Sequence, residues 1–203
     1  MKNKILDLFL YNKKLKFNEI EKSLKERSNK INYHLKGLLA RKVLKKDGKH
    51  YELTENSECI IPYLSEKQVV VPVILIHIGD KEQAYLIKRN KRPYHNLLGL
   101  PGGRLILGET IKRAVQRIMF AKYGIKAKLS KINSISLDHI IKNKRIIHSF
   151  LLIFVSAKTK DKICLTNLAR NKKKIINSDY HLIKTKLKNK QEIESLFSKV
   201  TVA

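Results

Sequence analysis

The chain has 203 residues, enough for one or two domains of ordinary size, and 43% of them are hydrophobic, which excludes global disorder. Lys and Arg number 44 against 17 Asp and Glu, a net charge of +27, and the self-repulsion this implies makes a polyanion, nucleic acid first, the leading partner class. Two cysteines far apart, Cys59 and Cys164, exclude a disulfide framework or zinc finger and point to a reducing compartment; no apolar run nears the ~18–20 residues of a membrane span.

Asp7 and Asn12 interrupt Met1 to Lys16, which does not read as a signal peptide, so the expected location is cytoplasmic, with no membrane partner. Ile5, Leu6, Leu8, Phe9 and Leu10 predict a first short helix, and Phe17, Ile20 and Leu24 a second. Arg27-Ser28-Asn29 supplies a turn and N-cap for a third, whose apolar stripe is Ile31, Leu35, Leu38 and Leu39. The other face of that helix carries Asn29, Lys30, Tyr33, Lys36 and Gly37, with Asn32 beside them. Lys45 to His50, with Gly48 at the tip, then reads as a basic hairpin leading into the alternating Tyr51-Glu52-Leu53-Thr54.

This order, and the wording Ile31-Asn32-Tyr33-His34-Leu35-Lys36 followed by Leu39, Val43-Leu44 and Tyr51-Glu52-Leu53-Thr54, resembles the winged helix-turn-helix repressors of the ArsR and MarR type over about residues 3–60. Two departures stand out: Lys42 and Ser57 occupy positions where those families often have glycine. The physical reading points the same way, since a short polar-faced helix fits a major groove about 12 Å wide while a lysine hairpin reaches the flanking backbone. The expected nucleic-acid-binding residues are Asn29, Lys30, Asn32, Tyr33, Lys36, Lys45, Lys46 and Lys49, with duplex DNA as partner and a homodimer as the candidate assembly. A winged helix used only for protein contacts is the competing reading.

A boundary falls near Ile61–Lys67, giving expected domains 1–66, with net charge +6, and 67–203, with net charge +21. Beyond it, Val69–Ile78 and Ala84–Ile87 predict strands, and Leu98-Gly99-Leu100-Pro101-Gly102-Gly103 a glycine-rich loop before a helix over about Thr110–Lys122. Ile132–Ile140 and Ile146–Val155 predict two more strands around Lys142-Asn143-Lys144. Asn167–Asn177 is polar and basic, and Gln191–Val200 predicts a last helix.

From Gly103 to Ile125 the sequence resembles the Nudix box, G-x5-E-x7-R-E-U-x-E-E-x-G-U with U apolar: Gly103, Glu109, Arg117, Met119, Gly124 and Ile125 match. The three glutamates after the arginine are replaced by Ile118, Ala121 and Lys122. The fold this resemblance implies, joined to the first part, is α+β: a small winged-helix domain followed by a Nudix-like mixed-sheet α/β/α sandwich. Nudix enzymes hydrolyse nucleoside diphosphates linked to another moiety with Mg²⁺ held by clustered carboxylates, and a hydrocarbon, a methyl and an ammonium cannot chelate a hard cation. The expectation is therefore a degenerate Nudix-like domain with no catalytic residue, no metal and no cofactor, in which Glu109 and Arg117 form a structural ion pair.

An anion can still be received by Gly102 and Gly103, with Arg89, Arg104 and Lys122 adding charge, which makes a nucleotide the candidate ligand. Regulators joining these two domains, commonly in the reverse order and with an ADP-ribose-type ligand, are known as a class. The function expected is a DNA-binding transcriptional regulator whose second domain is a nucleotide sensor or contact module. The alternatives are a pyrophosphohydrolase recruiting Asp138, Asp161 or Asp179, and an RNA-binding protein. His77, His95, His139, His148 and His181 are scattered and suggest no catalytic base.

Overall fold

The computed structural model describes residues 1–55, 57, 69–91 and 94–196. The chain divides into two compact units, Met1–Val69 and Val70–Ala203. Cys59 and the whole of the expected boundary segment, Ile61–Lys67, lie outside the described residues.

In the first unit the apolar spacings produce α1 (Lys2–Leu8), α2 (Phe17–Leu24) and α3 (Ser28–Ala40), followed by the hairpin β2 (Leu44–Asp47) and β3 (His50–Leu53). Ile5 and Leu6 from α1, Ile20 from α2, and Ile31, Leu35 and Leu38 from α3 meet in one core with Leu44 and Tyr51. Each such large apolar side chain contributes about 1.5–3 kcal/mol on burial. A third strand not foreseen, β1 (Lys14–Lys16), pairs antiparallel with β3 and gives the sheet order β1-β3-β2. Three residues with two lysines leave almost no alternation to read; Leu15, opposite Tyr51, is the one that is buried.

The helix start differs from expectation as well. The N-cap of α3 is Arg27, without a side-chain cap bond. The Ser28 hydroxyl donates instead to the Glu21 carboxylate, joining α2 to α3. At the other end Lys42 takes the left-handed conformation (φ +56) that a glycine would adopt freely, and the Thr54 hydroxyl donates to its carbonyl at 2.8 Å.

The second unit runs β4 (Val71–His77), β5 (Gln83–Ala84), β6 (Ile87–Lys88), β7 (Leu98–Gly99), β8 (Gly102–Arg104), α4 (Ile111–Tyr123), β9 (Ala127–Lys142), β10 (Arg145–Thr159), β11 (Thr166–Asn167), α5 (Leu168–Asn171), a 3-10 turn at Lys172–Lys174 and α6 (Asn177–Lys186). Its main sheet is mixed, in the order β8-β4-β10-β9, with β4 and β10 parallel. Strand alternation sends Ile74, Ile76, Ile153 and Val155 to one face, against Ala114, Val115, Ile118 and Met119 of α4. Leu75, Leu152 and Phe154 go to the other, against Leu168, Ile175, Leu182 and Ile183. The sheet therefore lies between two helical layers.

Several expected elements shift. The strand over Ala84–Ile87 is two short ones, β5 and β6, and the glycine-rich loop is the pair β7 and β8. β9 and β10 extend to 16 and 15 residues around Asn143 (φ +51) and Lys144 (φ +61), the two positive-φ residues of a tight hairpin turn. The last helix is not at Gln191–Val200: Gln191–Leu196 is non-helical, Gln191 bridges to Ile132 of β9, and 197–200 lie outside the described residues. The helix stands earlier, as α6, inside and beyond the basic stretch. Its apolar face is narrow, and Lys, Asn and Ser around it hide the period; packing against β10 and β4 decides the matter. No helix among the described residues is long and apolar enough to cross a membrane.

Candidate functional site

Residues Gly103–Ile125 begin in β8, turn at Gly108 and continue as α4. Thr110 caps the helix through a bond from Arg113 N (3.3 Å), and Gly124, left-handed at φ +69, ends it. Glu109, just before the cap, accepts from Arg117 Nε at 2.6 Å and from Nη2 at 2.8 Å, and Nη2 also donates to the Arg104 carbonyl at 3.0 Å. The Glu109 side chain is only 8% exposed. The guanidinium holds this carboxyl below the usual carboxylate range, and Glu109 in turn raises the pKa of Arg117. A bidentate pair of this kind fixes the loop to the helix and leaves neither group disengaged.

Gly102 and Gly103 do not form an open cradle. Both lie in β8, and a Cβ on Gly102 would come within 2.6 Å of the Ile74 carbonyl oxygen. A Cβ on Gly103 would lie 3.0 Å from Ile118 Cγ1 and 3.2 Å from Lys122 Nζ. The glycines thus let strand and helix approach. Ile118 is fully buried in the core, and Lys122 Nζ donates to the Gly102 carbonyl at 2.6 Å. Partial burial, then the charges of Arg117, Arg89 and Lys91, push the Lys122 pKa down. Arg104 does not join this group: strand alternation from Gly103 sets it on the face away from α4, with an exposed side chain.

On the opposite face of the sheet a small cavity is lined by Leu75, Phe150, Arg89, Tyr94, Asp138 and Asp179, with Ser178 at the start of α6 beside Tyr94. Asp179 is 4% exposed and accepts from Leu100 N at 2.7 Å; Gly99 leaves it room, since a Cβ there would stand 2.9 Å from Oδ2. Burial raises this carboxyl to about 7, against the opposing pull of the Leu100 amide and Arg89. Arg89 Nε is buried with no partner among the described residues. Sequence reasoning grouped Arg89 with the glycine-rich loop and Lys122 and not with this cavity, named Asp138 and Asp179 only as recruits of the hydrolase alternative, and missed Tyr94 and Ser178. One signal was available: Asp179 interrupts the apolar set Ile175, Ile176, Leu182 and Ile183 at helical spacing. Asp161 lies elsewhere, accepting from Lys126 N at 2.6 Å, and His77 is buried with Nε2 3.1 Å from the Asp80 carbonyl oxygen.

A family model described as the NUDIX domain matches residues 67–170. The chain belongs to the Nudix family. Solved structures similar to it include a NUDIX hydrolase from Nitrosomonas europaea (15% identity, 62% of this chain and 98% of that one, TM-score 0.47) and the NUDIX domain of Shewanella oneidensis NrtR complexed with ADP ribose (13%, 65% and 96%, TM-score 0.44). A UDP-X diphosphatase is similar over 77% of this chain and 78% of its own (14% identity, TM-score 0.45). No curated protein matches the chain.

The Nudix fold implies a divalent cation, and the residues present do not fit one. Where the box has its three later glutamates stand a core isoleucine, an alanine and an ammonium already bound to a carbonyl. Glu109 is engaged by Arg117, and no group of three or more His, Cys, Asp or Glu suited to a metal occurs among the described residues. Hard cations of this kind need several oxygen ligands.

In the first unit Asn29, Lys30, Asn32, Tyr33 and Lys36 of α3 are all exposed, Tyr33 to 74%. The lysines differ in how far they are committed. Lys30 pairs with Glu26 at 2.9 Å and Lys45 with Glu52 at 2.9 Å, while Lys46 Nζ lies 5.6 Å from the centre of the Tyr51 ring. Lys36 and Lys49 are exposed, with no carboxylate partner among the described residues.

Proposed function

We propose that this protein is a cytoplasmic DNA-binding transcriptional regulator, its first unit a winged helix-turn-helix and its Nudix unit a nucleotide-binding module instead of a hydrolase. The observation that carries the reading is α3: Ile31, Leu35 and Leu38 are inside, and Asn29, Asn32, Tyr33 and Lys36 are turned to solvent on one amphipathic helix. Side chains of that kind supply base-edge and phosphate contacts from a helix seated in a major groove, and the hairpin of β2 and β3 offers Lys49 to the backbone. The hydrolase alternative lacks support at the box, where the charge that would hold Mg²⁺ has changed sign at Lys122.

The test is binding of full-length protein to duplex DNA carrying its selected site. Tyr33→Ala combined with Lys36→Ala should weaken binding by about 10–100-fold, as removal of one base interaction and one phosphate interaction implies, with Tyr33 governing sequence preference. Lys45→Ala should matter less, because its ammonium is already paired with Glu52. Parent-like binding by the double variant would make the first unit a protein-contact module.

A further inference from the structure

We propose that the Nudix unit forms a two-fold dimer by pairing the outer edge of β9, from Ser134 to Ile141, antiparallel with the same edge of a second copy. The inference is independent of the DNA and nucleotide readings. β9 is the end strand of the main sheet and pairs along one side only, with β10. An open strand edge is a template for another strand, and proteins guard such edges with lysines, bulges or a covering segment. The start of β9 has all three: Lys128 and Lys131, register shifts that leave Ser130 and Asn133 unpaired, and Gln191 N donating to the Ile132 carbonyl at 2.9 Å. From Ser134 to Ile140 the register with β10 is unbroken, and no further bond to the outer edge occurs among the described residues.

The same stretch is a gap in the chain's charge. Lys and Arg make up 44 of the 203 residues, yet none stands between Lys131 and Lys142 or between Arg145 and Lys158. Two copies of net charge +27 repel one another, and this is the stretch where they can meet without bringing cations together. For the same reason it offers a polyanion nothing to hold. Apolar side chains take the place of lysine. Ile135 lies opposite Ile153, which packs on α4, so alternation sends Ile135, Leu137, His139 and Ile141 to that face, where the helix leaves Ile135 43%, Leu137 61% and Ile141 66% exposed. The stretch is also self-complementary. With the axis at Leu137, that residue meets its own copy, Ile135 lies opposite the partner's His139, and on the other face the Ser136 hydroxyl donates to the carboxylate of the partner's Asp138. The pairing closes on itself, because β8, the opposite edge of the sheet, is three residues long with two glycines and gives β9 no strand of matching length for head-to-tail growth. A regulator with such a two-fold axis reads a duplex site of the same symmetry.

Sedimentation equilibrium on the full-length protein decides the matter, and should give the mass of a dimer at micromolar concentration. Leu137→Lys sets two ammonium groups face to face at the axis and removes an apolar contact, so the dimer dissociation constant should rise by about tenfold or more. Leu107→Lys, at an exposed apolar residue on the loop before α4, should leave it unchanged. An unaltered circular dichroism spectrum for Leu137→Lys shows that the fold is kept. Cross-linking reads the register: in a chain carrying Cys59→Ser and Cys164→Ser, Leu137→Cys should oxidise to a covalent dimer, whereas Ile141→Cys, four residues from the axis and far from its own copy, should not. A monomer at every concentration overturns the inference. So does a dimer that Leu137→Lys leaves intact, or one that cross-links through Ile141→Cys and not through Leu137→Cys.

Discussion

Asp179 shows most plainly how one residue can combine fold and site. Its carboxyl holds β7–β8 to α6 through the Leu100 amide, yet it is buried deeply enough to titrate at about 7. The folded protein therefore binds this proton more tightly than the unfolded chain, where an aspartate titrates at about 4. By linkage, the stability it confers is full below the unfolded value and is lost as pH rises towards the folded one. Asp179→Asn keeps an acceptor for Leu100 and cannot ionise, so its melting temperature relative to the parent should climb between about pH 4 and about pH 7 and level off above. A difference that stays flat over that range would mean the carboxyl is not titrating in the fold. Legibility followed sequence distance here. The Glu109–Arg117 pair joins residues eight apart and could be read from spacing; the Asp179–Leu100 bond joins residues 79 apart and could not.

The elements that periodicity announced are those whose apolar residues face a core directly: α3 through Ile31, Leu35 and Leu38, α4 through Ala114, Val115, Ile118 and Met119, and the alternating β4 and β10. Those it missed or moved, β1 and α6, carry few apolar residues among many lysines and are formed by what they pack against. The glycines of β8 were legible as special but not for the right reason, because an open phosphate loop and a tightly packed strand both demand glycine. Substitution separates the two. Gly103→Ala must shift the Ile118 side chain and should cost about 1–3 kcal/mol, while Gly102→Ala would press on the Ile74 backbone, which cannot yield as a side chain can, and should cost more. Denaturant unfolding measures both. Unchanged stability in the two variants would return the segment to the role of a loop.

At the scale of the whole molecule the charge of +27 is not spread evenly in its effect. In the first unit much of it is met locally, Lys14 by Asp47 and Glu52, Lys30 by Glu26, Lys45 by Glu52. Residues 168–188 of the Nudix unit differ: they hold seven Lys and Arg against the single buried Asp179, and none of the seven forms an ion pair among the described residues. Lys172 and Lys184 lie over the Tyr180 ring, with Nζ 5.5 and 5.7 Å from its centre, so the aromatic that could stack on a base is already occupied by cations. Such a face suits a phosphate backbone better than unpaired bases. If it contributes to DNA affinity, Lys173→Gln with Lys174→Gln should make the log–log salt dependence shallower by about 1.8, at ~0.9 for each phosphate no longer neutralised. Lys30→Gln with Lys45→Gln removes the same charge from ion-paired positions and should change the slope less, because those lysines release fewer counterions on binding. Equal slopes for parent and Lys173/Lys174 variant would take this basic stretch out of the DNA interface.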